Sequence, residues 1–341
     1  MDLYKLARPM IFAIDPEVDH HLVANGLKLF NDNSNILRKI FYTKKRPNLQ
    51  VTIKNLTFDS PIGIAAGFDK KAEFYNSLGA LGAGFVEVGS VTKKAQAGNK
   101  KKRIFRLPED NAIINRMGLN NDGIETTKAR LEQHPANDVK IGLSIAPSHG
   151  LNDAGKVAEM VESVKDIHDQ ADYIALNISC PNQKGVATLQ HVELLTEILT
   201  GIKELNIEQP VFCKFGNDID TAELIETLHA VEGLLDGVIL TNTSGMKRDE
   251  LVSDNKKENG GLSGKPLFET SIAMTKLVHS EFPEMPIIYS GGVFTPEDAK
   301  TALEAGATLV EVYTGFIYNG PTMIEQINRY LSEKQMIDDL K

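Results

Sequence analysis

The chain has very little cysteine, no excess of positive charge and no long apolar run. Its 341 residues include only two cysteines, Cys180 and Cys213. That excludes a disulfide framework and any metal site built from several cysteines, and it fits a reducing compartment. Basic residues number 37 against 46 acidic ones, giving a formal charge of −9. Broad nucleic-acid binding needs a net basic face and is not expected. No run of about 18 apolar residues occurs, so no bilayer-spanning helix is expected. The opening residues (MDLYKLARPMIFAIDPEVDHH) lack a signal peptide's apolar stretch and cleavage site. They are too acidic for a transit peptide. A chain starting near Met1 and staying in the cytoplasm is expected. No internal repeat or low-complexity segment is evident.

What is present is an ordinary globular composition, 42% apolar and 24% charged. A chain of this length can bury roughly three quarters of the surface it exposes when unfolded. Eight short apolar runs predict strands: 61–67, 85–92, 140–147, 173–180, 211–216, 237–243, 286–292 and 309–316. Most are unbroken, as in strands buried on both faces. Helical patterns lie between them, at 157–170, 193–205, 221–231 and 296–305 for example. This alternation implies a parallel sheet. Eight units over about 270 residues match a (β/α)8 TIM barrel, with an open doubly wound sheet as the alternative.

The strand ends carry more information. Seven of the eight finish in small or polar residues: AAGFDK, GSVT, NISCPN, CKFG, TNTS, SGG and YTG. Such residues also make ordinary turns. In a (β/α)8 barrel, however, these ends build the active site, and seven together favour a ligand site. Two insertions, about 93–139 and 244–266, interrupt the rhythm where long connections are usually functional. Residues 31–50 are polar and basic enough to be a linker. Residues 1–45 form a separate helical segment and 46–341 the barrel. Leu3, Ala7, Met10, Ile11 and Ile14 mark one face of a short helix. Asp15-Pro16 starts a second, whose apolar face holds Val18, Leu22, Val23, Leu27 and Phe30. Periodicity alone favours a hairpin packed on the barrel bottom. The basic cluster Lys93, Lys94, Lys100, Lys101, Lys102 and Arg103 reads first as a solvated loop, and second as a contact for anionic lipid.

The stretches AAGFDK (65–70), GSVT (89–92), FRLPEDNAIINRMGLNN (105–121), NISCPN (177–182), TNT (241–243), GGLSGKPL (260–267) and YTGF (313–316) resemble the dihydroorotate dehydrogenase family, in that order. The resemblance runs from the N-terminal helices to about residue 324, and FRLPED followed by INRMG is its most specific part. ARPMIFAIDPE resembles the membrane-associated class 2 enzymes, which pass electrons to quinone, and this turns the reading of the N-terminal helices towards a membrane surface. The resemblance implies a barrel with a short N-terminal helical extension that holds FMN and oxidises (S)-dihydroorotate to orotate in pyrimidine biosynthesis. It implies a monomer or homodimer, peripheral on the cytoplasmic side of the cell membrane and otherwise cytoplasmic. Neither metal nor nucleic acid is implied.

By matching motifs, FMN contacts would be Ala66, Gly67, Lys70, Ser90, Ser144, Asn177, Lys214, Thr241, Gly264, Gly292, Tyr313 and Thr314. Substrate contacts would be Lys70, Asn115, Arg116, Met117, Gly118, Leu119, Asn177, Asn182, Asn242 and Thr243. Arg106 and Tyr313 would border the quinone channel, and Cys180 would be the catalytic base. The chemistry of these residues agrees. A carboxylate on a cyclic urea-like ring calls for one cation, which Lys70 supplies. It also calls for groups that both donate and accept, such as Asn115, Asn182 and Asn242, although asparagines also serve turns. Gly264, Gly291, Gly292 and Gly315 allow a phosphate to approach the backbone. Lys214 at a strand end can stabilise negative charge at the flavin ring.

Departures accompany the resemblance. Class 2 enzymes usually carry Ser where this chain has Cys180, and Cys is usual in soluble class 1 enzymes. The third strand ends in Ser144-Ile-Ala-Pro-Ser and the fifth in Lys214-Phe-Gly-Asn, each unlike the class 2 run. Cys213 reads as a buried inert thiol. Other readings are a class 1-like enzyme using fumarate or another acceptor, another FMN barrel oxidoreductase, and a barrel that has lost catalysis and only binds.

Overall fold

Runs such as FVEVGSV (β4, Phe85–Val91) carry no polar face for solvent, and every residue of β4 is buried. The structure, a computed structural model, describes residues 3–179, 191–245 and 248–338. Before the barrel come three helices, α1 (Leu3–Phe12), α2 (Pro16–Lys28) and α3 (Asn35–Ile40), and an antiparallel hairpin of β1 (Val51–Ile53) and β2 (Leu56–Phe58). Eight parallel strands then close on themselves in the order β3 (Ile62–Ile64), β4, β7 (Lys140–Ile145), β8 (Tyr173–Asn177), β9 (Val211–Phe215), β10 (Gly237–Leu240), β12 (Ile287–Ser290) and β13 (Leu309–Val312). Between and after them run α4 (Tyr75–Ala80), α5 (Ile124–Gln133), α6 (Asp153–Ile167), α7 (Val192–Glu204), α8 (Thr221–Val231), α9 (Phe268–Glu281), α10 (Pro296–Glu304), α11 (Thr314–Asn319) and α12 (Met323–Asp338). All eight predicted strands are present, and the (β/α)8 barrel is the fold.

Local chemistry sets several boundaries. Asp15 caps α2 by accepting from the backbone N–H groups of Glu17 and Val18, with Pro16 in the first turn. Asp220 caps α8 in the same way, and Thr295 with Asp298 forms a capping box on α10. The last predicted strand runs too far. YTGF opens α11, because a short apolar run does not tell strand from buried helix.

The two insertions join. β5 (Ile104–Leu107) and β6 (Ala112–Asn115) from the first pair with β11 (Gly261–Gly264) from the second, in a three-stranded antiparallel sheet. The barrel bottom is closed by the β1–β2 hairpin. There Ile53, Leu56 and Phe58 pack with Phe85, Tyr173 and Phe212. The hairpin of α1 and α2 is therefore not on the bottom. It lines a cavity with Phe68 and Tyr313, at the strand C-terminal ends.

Two expectations are corrected. Residues 31–50 are not a linker: they contain α3, and Asn31, Leu37 and Leu49 are buried. The apolar residues spaced among the polar ones hold this segment to the barrel. The basic cluster is not wholly solvated either. Arg103 is buried against Glu17 of α2, and Lys93 pairs with Glu162 and Asp166. Lys100, Lys101 and Lys102 are exposed.

Candidate functional site

The strand C-termini surround a cavity open to solvent. Its walls hold Ala66, Gly67, Lys70, Ser90, Asn115, Met117, Gly118, Leu119, Asn177 and Lys214. They also hold Thr241, Asn242, Thr243, Gly264, Gly292, Tyr313 and Thr314. Residues from distant motifs, between Ala65 and Gly315, thus line one cavity.

Two expected residues do not reach it. Ser144 is buried behind the wall, where its hydroxyl bonds that of Ser90 at 2.7 Å. Its position inside β7 points it at the neighbouring strand. The Arg116 side chain turns away to Glu258 (2.7 Å) and the carbonyl of Asn259 (2.9 Å), and stacks over Phe105. Competing acceptors on the second insertion draw the guanidinium there. Cys180 and Asn182 lie outside the described residues.

A hydrogen-bonded ring of side chains organises the mouth. Asn177 Nδ2 donates to Ser90 Oγ at 2.8 Å, and Asn242 Nδ2 donates to Asn177 Oδ1 at 3.2 Å. Asn242 also donates to Ser179 Oγ (3.1 Å), whose hydroxyl donates to the Lys214 carbonyl (2.6 Å). These contacts fix the amide orientations before any ligand arrives. Lys70 donates to the Gly67 carbonyl. Burial lowers its pKa to about 8, and the Arg103 charge acts in the same direction. The ammonium is kept at neutral pH and lost above about pH 8.

The polar groups and the small-residue end fit FMN. Ser90, Asn177, Thr241 and Lys214 offer donors to a flavin ring along one wall. At the other end Gly264 and Gly292 have φ of +110° and +68°, where side chains are strained. A Cβ on Gly264 would also lie 2.4 Å from the Asn111 carbonyl. Thr314, bonded to Ser263 at 2.8 Å, and Gly315 complete this small-residue end, which admits a phosphate.

A second cavity runs between the helices α1 to α3 and the barrel. Ile11, Val23, Leu27, Phe30, Phe68 and Phe316 make it largely apolar. It shares Asn115, Met117 and Tyr313 with the first cavity, so Tyr313 stands between the two. The Tyr313 hydroxyl donates to the Gly67 carbonyl at 3.2 Å, and burial pushes its pKa up to about 12. Arg106 also lines this cavity.

The sequence reading missed Asp19 and His20 in this channel and Glu87 and Glu311 beneath the mouth. Burial, with Lys70 nearby, lowers the His20 pKa to about 3, so its ring is neutral. The signal was an acidic residue inside each apolar strand run, FVEV and LVEV, and a histidine in an apolar helix face. Cys213 is fully buried in β9, and burial pushes its thiol pKa up, which matches an inert thiol. Among the described residues no acidic, histidine and cysteine cluster could hold a metal.

The chain is similar to known proteins along nearly its whole length. The family model for dihydroorotate dehydrogenase matches residues 48–335. The dihydroorotate dehydrogenase (quinone) of Christiangramia forsetii is 41% identical over 97% of this chain and 99% of its own. That of Coxiella burnetii is 36% identical over 97% of each. The crystal structure of DHODH from Eimeria tenella in complex with ferulenol superposes with a TM-score of 0.85 at 33% identity, over 96% of this chain and 93% of that one. Fold, motif order and relatives agree, and the chain belongs to the dihydroorotate dehydrogenase family.

Proposed function

We propose that the chain oxidises dihydroorotate to orotate in the barrel mouth, with FMN as cofactor, and passes the electrons to a quinone in the apolar channel. The observation that carries this reading is the meeting, at Tyr313, of a cavity of mixed polarity with a largely apolar one. A polar ring and a lipophilic quinone need opposite surroundings, and electrons need a short path between them. Bound FMN would supply the two-electron acceptor. FMN would be held by Ala66, Gly67, Ser90, Asn177, Lys214 and Thr241 along its ring, and by Gly264, Gly292 and Thr314 at its phosphate. Ser144 acts through Ser90.

Lys70 holds the substrate carboxylate as a charged hydrogen bond. Asn115, Asn177 and Asn242 hold the ring's N–H and C=O edges, and Asn182 and Thr243 join them. Met117, Gly118 and Leu119 cover the substrate and exclude water. Cys180 follows Ser179 of the mouth directly in sequence and takes the proton from C5 as the hydride leaves C6. The Lys214 ammonium stabilises the negative charge that arrives.

Residues 1–45 serve as the membrane- and quinone-facing segment, and 46–341 as the FMN-binding barrel. Met10 is 78% and Leu22 58% exposed, and Leu6, Val18, Leu29, Ile36 and Ile40 are exposed as well. Exposed apolar residues on neighbouring helices are the mark of a surface that rests on lipid. Lys101 lies 3.5 Å from Glu17 of α2, which sets the exposed lysines next to that face, where anionic lipid adds roughly 1 kcal/mol per basic group. No helix among the described residues is long and apolar enough to cross a membrane. The enzyme is peripheral, on the cytoplasmic side.

The test is dihydroorotate oxidation with a quinone, fumarate and NAD offered in turn. Quinone should support the fastest turnover by purified, yellow protein. Preference for fumarate or NAD would overturn the quinone assignment, and colourless, inactive protein would overturn the flavin assignment.

A further inference from the structure

At the cavity floor lies a buried layer of three ionisable side chains. Lys214 on β9 reaches Glu87 on β4 at 3.2 Å and Glu311 on β13 at 2.9 Å. Both glutamate side chains are wholly buried, and that of Lys214 nearly so. One cation thus faces two carboxyls at an almost fully buried spot on the cavity floor. Each residue lies two positions beyond an apolar residue of the bottom layer, Phe85, Leu309 or Phe212. The aromatic layer seals them from below, and the ligand cavity, which Lys214 and Glu311 line, begins directly above.

The remaining oxygens are orphans. Glu87 Oε2, Glu311 Oε1 and the Tyr173 hydroxyl have no partner of good hydrogen-bond geometry. They are neighbours, for Glu87 interacts with both Glu311 and Tyr173. Glu87 also stands in register with Gly142, where a Cβ would lie 2.0 Å from the Tyr173 ring. Two ionised carboxylates beside one ammonium would leave a buried, uncompensated negative charge, which is very costly. Like carboxyls at close range resolve this by keeping one proton.

We propose that Glu87 and Glu311 form a carboxyl pair that holds one proton between them, so that the pair carries a single negative charge against Lys214 and sets the charge presented to the ligand in the barrel mouth. Burial, with Glu311 adding to it, raises the Glu87 pKa to about 8, in the direction the geometry requires. Burial opposes the Lys214 charge, yet the two carboxyls outweigh it and raise the lysine's pKa. Both glutamates are positioning residues: they act on the ligand through Lys214. The effect on a flavin rests on the FMN reading above, whereas the pair itself does not.

Two measurements test it. Isotope-edited infrared spectroscopy with labelled glutamate should show a protonated-carboxyl band in the parent at neutral pH. That band should vanish in Glu87→Gln and in Glu311→Gln, because the surviving carboxyl then ionises against Lys214. Its absence from the parent overturns the proposal, whether or not flavin is bound. The second measurement is the flavin midpoint potential of the FMN-loaded protein. Each single variant keeps one negative charge against Lys214 and should shift the potential little. The double variant bares Lys214 and should make the potential clearly more positive than the sum of the single shifts. Single shifts that each reach about half of the double shift would mean two full charges and overturn the pair. If the double variant does not hold flavin, the infrared bands of the parent and single variants decide. Parent protein without flavin would refute the FMN reading and leave the infrared test standing.

Discussion

Arg106 of the barrel insertion donates to Asp19 of α2, 87 residues earlier in the chain. The same guanidinium donates to the carbonyl of Ile14 at 3.0 Å and lies 4.4 Å over the Phe12 ring. One side chain therefore ties the α1–α2 corner to the sheet that roofs the mouth. Asp19 is largely buried, and burial outweighs the arginine's charge to raise its pKa.

Removing one member of a buried pair leaves its partner's charge unpaired, at about 3–5 kcal/mol. Arg106→Ala should release that cost by undocking the helices rather than by unfolding the barrel. Hydrogen exchange should then speed up in α1 and α2 and stay slow in β4 and β7. Turnover with quinone should fall at least tenfold relative to turnover with a soluble dye. Equal loss with both acceptors would show that the channel is not the quinone path.

Lys70 gives a pH prediction. Its depressed pKa of about 8 means that free enzyme carries the ammonium below that pH and loses it above. A substrate carboxylate needs the charged form. KM for dihydroorotate should be level below about pH 8 and rise by about tenfold per unit above it. Lys70→Met should raise KM at every pH and remove the rise. A rise that persists in the variant would assign the titration to another group.

Gly142 tests the packing of the barrel interior. A Cβ there would lie 2.0 Å from the buried Tyr173 ring, with no flexible side chain to yield. Overpacking of this kind typically costs about 1–3 kcal/mol. Gly142→Ala should lower the unfolding midpoint in urea with little change in slope. Unchanged stability would mean that Tyr173 moves freely, which its full burial argues against.

The barrel and most of its mouth could be read from sequence because the information is local. Each strand announces itself by a run of apolar residues, and each ligand-facing end by the small residues that follow. What could not be read depends on distant pairing. Nothing in residues 93–139 says that β6 will pair with β11, or that Arg103 and Arg106 will find Glu17 and Asp19. Ser144 and Arg116 were misplaced for the same reason, since motif position gives the backbone path but not the direction of a side chain. Glu87 and Glu311 were visible as letters, yet their importance follows only when the closed barrel aims both at Lys214.

Cys180 lies outside the described residues, but its neighbour Ser179 narrows the choice of base. The Ser179 hydroxyl donates to the Lys214 carbonyl and accepts from Asn242, so it already has a donor's and an acceptor's task. It is buried and poorly placed to take a substrate proton. A cysteine thiol has an unperturbed pKa of about 8.5, which nearby positive charge lowers. Cys180→Ala should therefore nearly abolish reduction of the flavin by dihydroorotate while leaving the flavin bound. Cys180→Ser should keep some activity with its pH dependence moved upward, because a hydroxyl is far less acidic than a thiol. Rapid mixing across a range of pH, following flavin bleaching, isolates this step from quinone chemistry. An alanine variant that bleaches as fast as the parent would remove Cys180 from the mechanism. With Ser179 engaged elsewhere, a water held by the mouth asparagines would then be the remaining base, and Asn242→Ala should slow bleaching in that background.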